Sequence, residues 1–342
     1  MQTQDLVIYE GNVTEIEPAN DATIRLLQQD GTQVAITLSA DILAADRFVI
    51  EQWLTTKRSK LTHEAYGRDI TAFYAFQIER QGKHTITAMN LHDLQIYAAS
   101  LIQAGLKSST QARKINCVKS LFSFAAKLEY LRVNTAQLLQ PPPVPDELAQ
   151  RILPEKSYHS MIDQQKQHPR NYALLTVLYY GGLRASEICA LRWKHLVSRS
   201  YDRDFGGIIT VHGKGHKTRQ VPVPHNAWQA LEQLRSQMQQ SGQSTDPDAY
   251  VFQPDQKYRT HVPTGTEQLH RNTVRKIVQR AARKAGVKDD VSPHKYRHGH
   301  ATYAQAHGAS AVLVKETLGH KSLVTTTKYS HIVNSEGSGK YL

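Results

Sequence analysis

The segment Gly-Gly-Leu-Arg-Ala-Ser-Glu at residues 181–187 says most about how this 342-residue chain folds. Its paired glycines end an apolar run, His168 to Tyr180, which we predict to be a helix because glycine readily takes the backbone conformation that closes helices. Arg184 then stands at the turn into a further helix, predicted from about Ser186 to Trp193. Glu187 follows three residues later and can hold the guanidinium of Arg184 in place. The segment therefore predicts a turn that fixes an arginine between two helices.

Two β-prone runs come next, Gly207 to His212 and Thr218 to Val223, joined by a Gly-Lys-Gly turn centred on Lys214. Glycines on both sides of one residue are typical of a tight connection between antiparallel strands. We therefore expect a β-hairpin with Lys214 at its tip. On the residues alone Lys214 is an ordinary turn lysine, and Lys217 or Arg219 can equally be pictured reaching a phosphate.

A second arginine lies in the run Pro-His-Lys-Tyr-Arg-His-Gly-His at residues 293–300. A predicted helix places His294 and Arg297 on one face, because they are three residues apart. His320 comes just past the end of the next predicted helix. Tyr329 follows nine residues later, in a last short helix.

Cleavage of a phosphodiester without a metal ion needs a nucleophile, an acid that protonates the departing 5′ oxygen, and cations that hold the phosphate through its transition state. Arginine suits the last role, because its planar guanidinium grips two phosphate oxygens at once and stays charged at neutral pH. The two arginines, the turn lysine, the histidines and the tyrosine together supply these groups.

The composition is that of a globular protein with a polyanionic partner. Hydrophobic residues make up 40% of the chain and the net charge is +12. Positive charge favours nucleic acid, because neutralised phosphates release condensed counterions. Apolar runs stop well short of the roughly 20 residues that a membrane-spanning helix needs. The two cysteines predict neither a disulfide framework nor a CxxC metal site. We expect a cytoplasmic protein without membrane contact.

Charge and prolines divide the chain. Residues 1–50 carry a net charge of −6 and the remaining residues +18, so the positive charge belongs to the main body. The run Gln-Pro-Pro-Pro-Val-Pro at 140–145 blocks helix and sheet alike, which marks a linker. We predict an acidic β-rich N-terminal segment (1–40), a helical domain (41–139), a linker (140–149) and a second domain (150–342).

Periodicity predicts a mainly α fold with a small β-sheet, of the α+β class. Apolar residues recur at helical spacing over 62–77, 91–106, 109–130, 154–165, 225–239, 270–285, 294–307 and 309–318. Thr62 is the predicted N-cap of the first of these helices. Three β-prone runs, Leu6 to Tyr9, Thr23 to Leu27 and Gln33 to Leu38, predict a hairpin or small sheet near the N-terminus.

These motifs resemble those of a known family, the tyrosine recombinases of phage integrase and Xer type. The resemblance covers about residues 41–331 and rests on four short motifs in the family's order and spacing. They are GLRASEICALRW (182–193), GKGHKTRQVPV (213–223), PHKYRH (293–298), and LGH (318–320) followed by TTTKYSH (325–331). The resemblance implies a helical core-binding, SAM-like DNA-binding domain followed by a mostly helical catalytic domain.

The same resemblance implies roles for individual residues. Two arginines bind the phosphate, two histidines belong to the active site, and a tyrosine is the nucleophile: Arg184, Arg297, His294, His320 and Tyr329. Lys214 matches the lysine that protonates the leaving oxygen. Glu187 matches the family's supporting acid.

The implied reaction is site-specific recombination through a 3′-phosphotyrosine intermediate, with no metal, ATP or other cofactor. The implied partner is double-stranded DNA. The resemblance further implies a tetramer on two synapsed sites, of identical chains or with a related recombinase, associated with the nucleoid.

Two pairs of basic residues are candidate DNA contacts outside these motifs. Arg113 and Lys114 lie on a helix of the first domain, away from its apolar face. Lys276 and Arg280 lie opposite the apolar stripe of the 270–285 helix. A solvated helix face is as good an interpretation of either pair as a phosphate contact.

Other functional interpretations stay open. His294 and His298 have the i, i+4 spacing of zinc-binding helices but lack the glutamate of HExxH and a third ligand. The acidic pairs Asp202/Asp204 and Asp246/Asp248 fit a two-metal nuclease poorly, because both lie in polar loops. A type IB topoisomerase-like enzyme uses the same tyrosine chemistry on one duplex. A catalytically silent DNA-binding protein is the remaining alternative.

Overall fold

The structure is a computed structural model that describes residues 23–27, 33–57, 59–144, 152–199, 202–213, 218–255 and 264–319. The chain divides into two compact units, Met1–Pro145 and Asp146–Leu342. Helices dominate both units, and each has one small antiparallel sheet within the described residues. The mainly α, α+β fold class is confirmed.

The first unit joins a hairpin to four helices. Its elements are β1 (Thr23–Leu27), β2 (Gln33–Thr37), α1 (Ala44–Thr55), α2 (Lys60–Gln81), α3 (Leu91–Gln103) and α4 (Ser108–Lys127). In β2 buried and exposed residues alternate, so that Val34 and Ile36 face the core. The hairpin lies very close to α2 at Gly67, where a Cβ would come within 2.7 Å of the Ile36 Cδ1 atom. Only glycine permits that approach.

A buried carboxylate ties the first unit together. Asp46 on α1 is fully buried and accepts hydrogen bonds from the hydroxyls of Tyr74 (2.5 Å), Tyr130 (2.5 Å) and Thr85 (2.8 Å), and from the Ile86 amide (2.7 Å). Burial, with Asp46 alongside, raises the pKa of Tyr74 well above its ordinary value, so its hydroxyl stays a donor. Four segments distant in sequence therefore meet at one side chain.

Over its described residues, the second unit has seven α-helices and three strands around a larger core. They are α5 (Glu155–Asp163), α6 (Pro169–Gly181), α7 (Ala185–Cys189), β3 (Leu196–Ser198), β4 (Gly207–His212), β5 (Thr218–Val223), α8 (His225–Gln240), α9 (Arg271–Lys284), α10 (Pro293–Ala306) and α11 (Ala311–Leu318). The antiparallel sheet has the order β3-β4-β5. Helix α6 lies at the centre, because nearly all its residues from Ala173 to Tyr179 are buried.

Most predicted elements are present, and the two strands of the Lys214 hairpin have the bounds that the sequence predicts. The helix predicted from Ser186 to Trp193 is wrong at its end, because α7 stops at Cys189. The following backbone pairs with another segment instead: the Val251 amide donates to the Leu191 carbonyl at 2.9 Å. Local periodicity carries no signal for that long-range bond.

The predicted N-cap of α2 is also wrong. The helix begins at Lys60 with Ser59 at the N-cap position, and the amide of Thr62 donates to the Ser59 carbonyl at 2.8 Å. The strand predicted over Leu6 to Tyr9 and the helix predicted around Tyr329 lie outside the described residues. Within the described ranges, no helix has both the length and the apolar character needed to cross a membrane.

We predict that Asp46→Asn destabilises the first unit by about 2 to 3 kcal/mol, because an amide cannot accept all four hydrogen bonds and loses the negative charge. Amide hydrogen exchange, followed on peptides from α1 and α2, should become faster while exchange in α6 is unchanged. The matched control is Asp41→Asn, since Asp41 is exposed and its carboxylate accepts a bond from the neighbouring Ser39 hydroxyl. Equal effects of the two substitutions would contradict the role assigned to Asp46.

Candidate functional site

The turn that carries Arg184 is built by a glycine and an acid. Gly182 closes α6 in the left-handed conformation (φ 58°), and a Cβ there would come within 2.5 Å of Leu318 and 2.8 Å of His300. Glu187 accepts from the Arg184 backbone amide and from its Nη1 atom, both at 2.8 Å. The contact predicted between these two residues is present. The Arg184 side chain is 37% exposed, so its guanidinium faces solvent in part.

Glu187 binds a second arginine as well. Nη1 and Nη2 of Arg219 on β5 each donate to one Glu187 oxygen at 2.9 Å, in a bidentate pair. Burial raises the pKa of the Glu187 carboxyl, but hydrogen bonding and charge from Arg219 and Arg184 more than offset this, and its pKa is lowered overall. A buried carboxylate thus stays ionised between two guanidinium groups.

Arg219 is placed differently from the phosphate contact that the sequence suggested. Its side chain is only 13% exposed, and its Nε atom donates to the Thr317 carbonyl on α11 at 2.6 Å. The donors of its guanidinium are therefore directed to Glu187 and to α11. Sequence spacing gave no signal for these contacts, because they join residues 32 and 98 positions apart.

Arg297 lies between the ends of two helices. It is 3% exposed, and it donates from Nη1 to the Gly182 carbonyl (2.7 Å) and from Nη2 to the Leu318 carbonyl (2.5 Å). It therefore holds the turn that carries Arg184 against the end of α11, two residues before His320. Its predicted neighbour His294 is exposed and packs against His298, with ring centroids 5.1 Å apart.

His300 completes the support of the α6 end. Its Nδ1 atom lies 2.8 Å from the Tyr179 carbonyl. Burial, with the nearby charge of Arg297, lowers the pKa of His300 to about 4 despite the hydrogen bond. The ring is neutral at pH 7, and its Nδ1–H group donates to the carbonyl. Arg297 and His300, one turn apart on α10, thus bind the carbonyls of Gly182 and Tyr179 at the end of α6.

Four predicted site residues, Lys214, Lys217, His320 and Tyr329, lie outside the described residues. Described residues near two of the undescribed segments, 214–217 and the residues after 319, lie close together. A Cβ built on Gly319, the residue before His320, would lie 3.2 Å from the Cδ atom of Arg219, which follows the Lys214 turn on β5. The described structure therefore brings together the Arg184 turn, Arg297, β5 and the end of α11.

The other candidate DNA contacts divide into two kinds. In the first unit Arg113 and Lys114 both pair with Asp69, whose side chain is 4% exposed, and the Lys114 Nζ lies 3.1 Å from its Oδ1 atom. These cations neutralise a buried acid. In the second unit Lys276 and Arg280 lie on the exposed side of α9. As DNA contacts all four residues stay predictions.

The acidic pairs considered for a nuclease are engaged locally. Asp202 accepts from the Asp204 amide at 2.9 Å and pairs with Arg199, and Asp248 pairs with Lys194. Over the described ranges, no group of three or more His, Cys, Asp or Glu side chains is arranged to bind a metal ion.

The second unit thus presents a cationic cluster suited to an anion. Arg184, Arg219 and Arg297 converge on one region, and Glu187 is the acid that pairs with two of them. One partly exposed guanidinium, held by a buried carboxylate, is a preorganised donor for phosphate oxygens.

Comparisons with known proteins extend this picture. A family model described as "Phage integrase family" matches residues 151–336, and one described as "Phage integrase, N-terminal SAM-like domain" matches residues 45–128. A tyrosine recombinase XerC from Corynebacterium glutamicum is 31% identical over 286 residues, which cover 82% of this chain and 84% of the relative.

Two solved structures share the fold. One is the XerH site-specific recombinase bound to a palindromic difH substrate in a post-cleavage complex (TM-score 0.63, 18% identity, 87% of this chain and 88% of that chain). The other is a lambda integrase tetramer bound to a Holliday junction (TM-score 0.62, 16% identity, 85% of this chain and 78% of that chain). At these identities the likeness concerns the fold alone.

The half-buried His300 predicts a pH dependence of stability. Its folded pKa of about 4 lies below the ordinary 6.5, so between these values the unfolded chain binds a proton that the folded chain does not. Stability of the second unit should therefore fall as the pH drops from 6.5 to about 4. We expect wild type to lose up to about 3 kcal/mol more than His300→Phe over this range, measured by urea denaturation. The exposed His159→Phe serves as control and should follow wild type; parallel curves for wild type and His300→Phe would contradict the prediction.

Proposed function

The chain belongs to the phage integrase family of tyrosine recombinases, and from this membership we propose how its own residues cleave and rejoin DNA. The family match spans more than half of the chain, and a XerC relative is 31% identical over most of its length. The protein is therefore a tyrosine site-specific recombinase. The structural observation that carries the proposed site is the buried Glu187 carboxylate, which holds Arg184 beside the segment that Arg297 anchors.

In the proposed reaction the phenolic oxygen of Tyr329 attacks a backbone phosphate and forms a 3′-phosphotyrosine bond. The bond between phosphorus and the 5′ oxygen breaks, and Lys214 protonates that oxygen to give a 5′ hydroxyl. A tyrosine with a pKa near 10 is a poor nucleophile, so its proton passes to a histidine of the site, His294 or His320. Arg184 and Arg297 bind the phosphate and its transition state.

The second step is the reverse of the first. The phosphotyrosine bond retains the free energy of the broken phosphodiester, so that a 5′ hydroxyl from another strand can attack it without ATP. The tyrosine is released with its proton, and the new phosphodiester joins two different strands. The proposed reaction uses protein side chains only and no cofactor.

We further propose that residues 41–139 form a core-binding domain on double-stranded DNA, that residues 150–342 form the catalytic domain and that 140–149 link the two. The match of residues 45–128 to the SAM-like domain supports the first assignment. The acidic segment 1–40 is unsuited to phosphate contact. The proposal includes synapsis by a tetramer, of identical chains or with a related recombinase, in the nucleoid. The likeness to a lambda integrase tetramer bound to a Holliday junction supports assembly on DNA.

We expect Tyr329 to be the residue that bonds covalently to DNA. Wild type incubated with a pool of nicked duplexes of random sequence should form a protein–DNA adduct that survives denaturing electrophoresis, because loss of the nicked fragment prevents religation. Tyr329→Phe should lose this adduct by at least roughly 10³-fold, since no oxygen remains to attack. Tyr250→Phe should retain the adduct, because it removes only the hydroxyl of a tyrosine whose ring packs on Arg192.

The same assay separates the alternatives. An adduct formed by Tyr329→Phe would overturn the assignment of the nucleophile, and a wild type without adduct would indicate a silent DNA-binding protein. Sequencing of the DNA from adducts supplies the preferred site. Two duplexes carrying that site should then yield recombinant products, whereas a topoisomerase-like enzyme would only relax supercoiled DNA.

The exposed face of α9 is a candidate contributor to DNA affinity. If the exposed face of α9 contacts phosphates, Lys276→Gln and Arg280→Gln should each lower the slope of log affinity against log salt by about 1, because each cation releases about one counterion. Fluorescence anisotropy with a random-sequence duplex measures this slope. Lys166→Gln is the control, since Lys166 is exposed and pairs with Asp163 on α5. If the slope is unchanged in both variants, Lys276 and Arg280 are solvated residues and not phosphate contacts.

A further inference from the structure

Arg219 makes three directed hydrogen bonds to two different helices. Its Nη atoms bind both oxygens of Glu187 at 2.9 Å, and its Nε atom binds the Thr317 carbonyl at 2.6 Å. Glu187 is 4% exposed and Arg219 is 13% exposed, so these bonds are shielded from water. Such shielded charge-assisted bonds are stronger and more directional than those at a surface.

The three segments that Arg219 joins carry or adjoin in sequence three of the predicted catalytic residues, Arg184, Lys214 and His320. Arg219 itself lies on β5, where it pairs across the sheet with Val211, and Lys214 comes between β4 and β5 in the sequence. Glu187 on α7 holds Arg184 by its main chain and side chain. Thr317 lies near the C-terminal end of α11, three residues before His320. One guanidinium therefore connects the Arg184 turn, the strand after Lys214 and the segment before His320.

We propose that Arg219 is a positioning residue for DNA cleavage: it fixes Arg184 through Glu187 and fixes the end of α11 through the Thr317 carbonyl. This inference rests on the proposed function and adds to it a residue that need not touch DNA. It replaces the interpretation of Arg219 as a phosphate contact.

The chemistry of the contact requires arginine. A guanidinium can bind two carboxylate oxygens with its Nη atoms and still donate from Nε to a third acceptor in the same plane. An ammonium group is a single point and cannot reach both the carboxylate and the carbonyl with that geometry. Lysine at this position keeps the charge near Glu187 but loses the fixed spacing between α7 and α11.

Arg219→Lys is therefore the informative substitution. In single-turnover assays on the nicked duplexes, we expect adduct formation to slow by roughly 10- to 100-fold, because a displacement of about 1 Å in a catalytic group has that effect. The affinity for duplex DNA and its salt dependence should stay those of wild type. Arg199→Lys is the matched control, since Arg199 pairs with Asp202 at 3.6 Å in the same unit, and it should keep the wild-type rate.

A double-mutant cycle with Glu187→Gln tests the route of the effect. If Arg219 acts through Glu187, the rate loss in the double variant should fall well short of the product of the two single losses. Independent, multiplying losses would overturn the proposal. So would a salt slope lowered by about 1 in Arg219→Gln, because loss of a cation that contacts a phosphate lowers the slope by that amount.

Amide hydrogen exchange gives a readout that does not depend on catalysis. In Arg219→Lys, exchange should become faster in α7 and in residues 315–318 of α11, whereas α8 should keep its wild-type protection and so show that the unit is folded. Unchanged exchange at both places would overturn the positioning role, even if the enzyme showed no cleavage. Absence of an adduct in wild type would instead overturn the proposed function, and the exchange result would still decide the role of Arg219.

Discussion

The second unit depends on keeping the buried carboxylate of Glu187 ionised. An ionised group that has left water is costly unless charges and hydrogen bonds replace its hydration, and removal of one partner leaves the charge uncompensated. Here Arg219 and Arg184 supply both. Because each arginine belongs to a different segment, the need to neutralise one oxygen pair fixes the distance between α7 and β5.

Arg297 donates hydrogen bonds to backbone carbonyls at two helix ends. The last carbonyls of a helix have no partner within the helix, so they need donors from elsewhere. Arg297 and His300 supply such donors at the end of α6, and Arg297 serves α11 as well. The glycine at 182 permits the close approach on which these bonds depend. The contacts that pair these backbone carbonyls are thus the same contacts that align the catalytic segments.

Contacts between near neighbours in sequence could be predicted, and contacts between distant ones could not. The Arg184–Glu187 pair follows from its i, i+3 spacing, and the Lys214 hairpin follows from strand-forming runs around a Gly-Lys-Gly turn. The early end of α7 and the partners of Arg219 depend on segments far away in the chain, about which periodicity carries no information. The basic residue Arg219 follows the predicted hairpin turn, but its bonds to Glu187 and Thr317 join it to segments far away in the sequence.

Burial of acids also shapes the electrostatics of the surface. Among the described residues, the buried charged side chains include four acids, Asp46, Asp69, Asp93 and Glu187, but only one arginine, Arg297. Two of these acids are each paired with two cations, so the clusters around Asp69 and Glu187 both keep a net positive charge. The acids thereby stabilise the interior while the excess of lysine and arginine stays near solvent. Residues 1–145 carry no net charge and residues 146–342 carry the whole +12, so a polyanion is attracted mainly to the second unit.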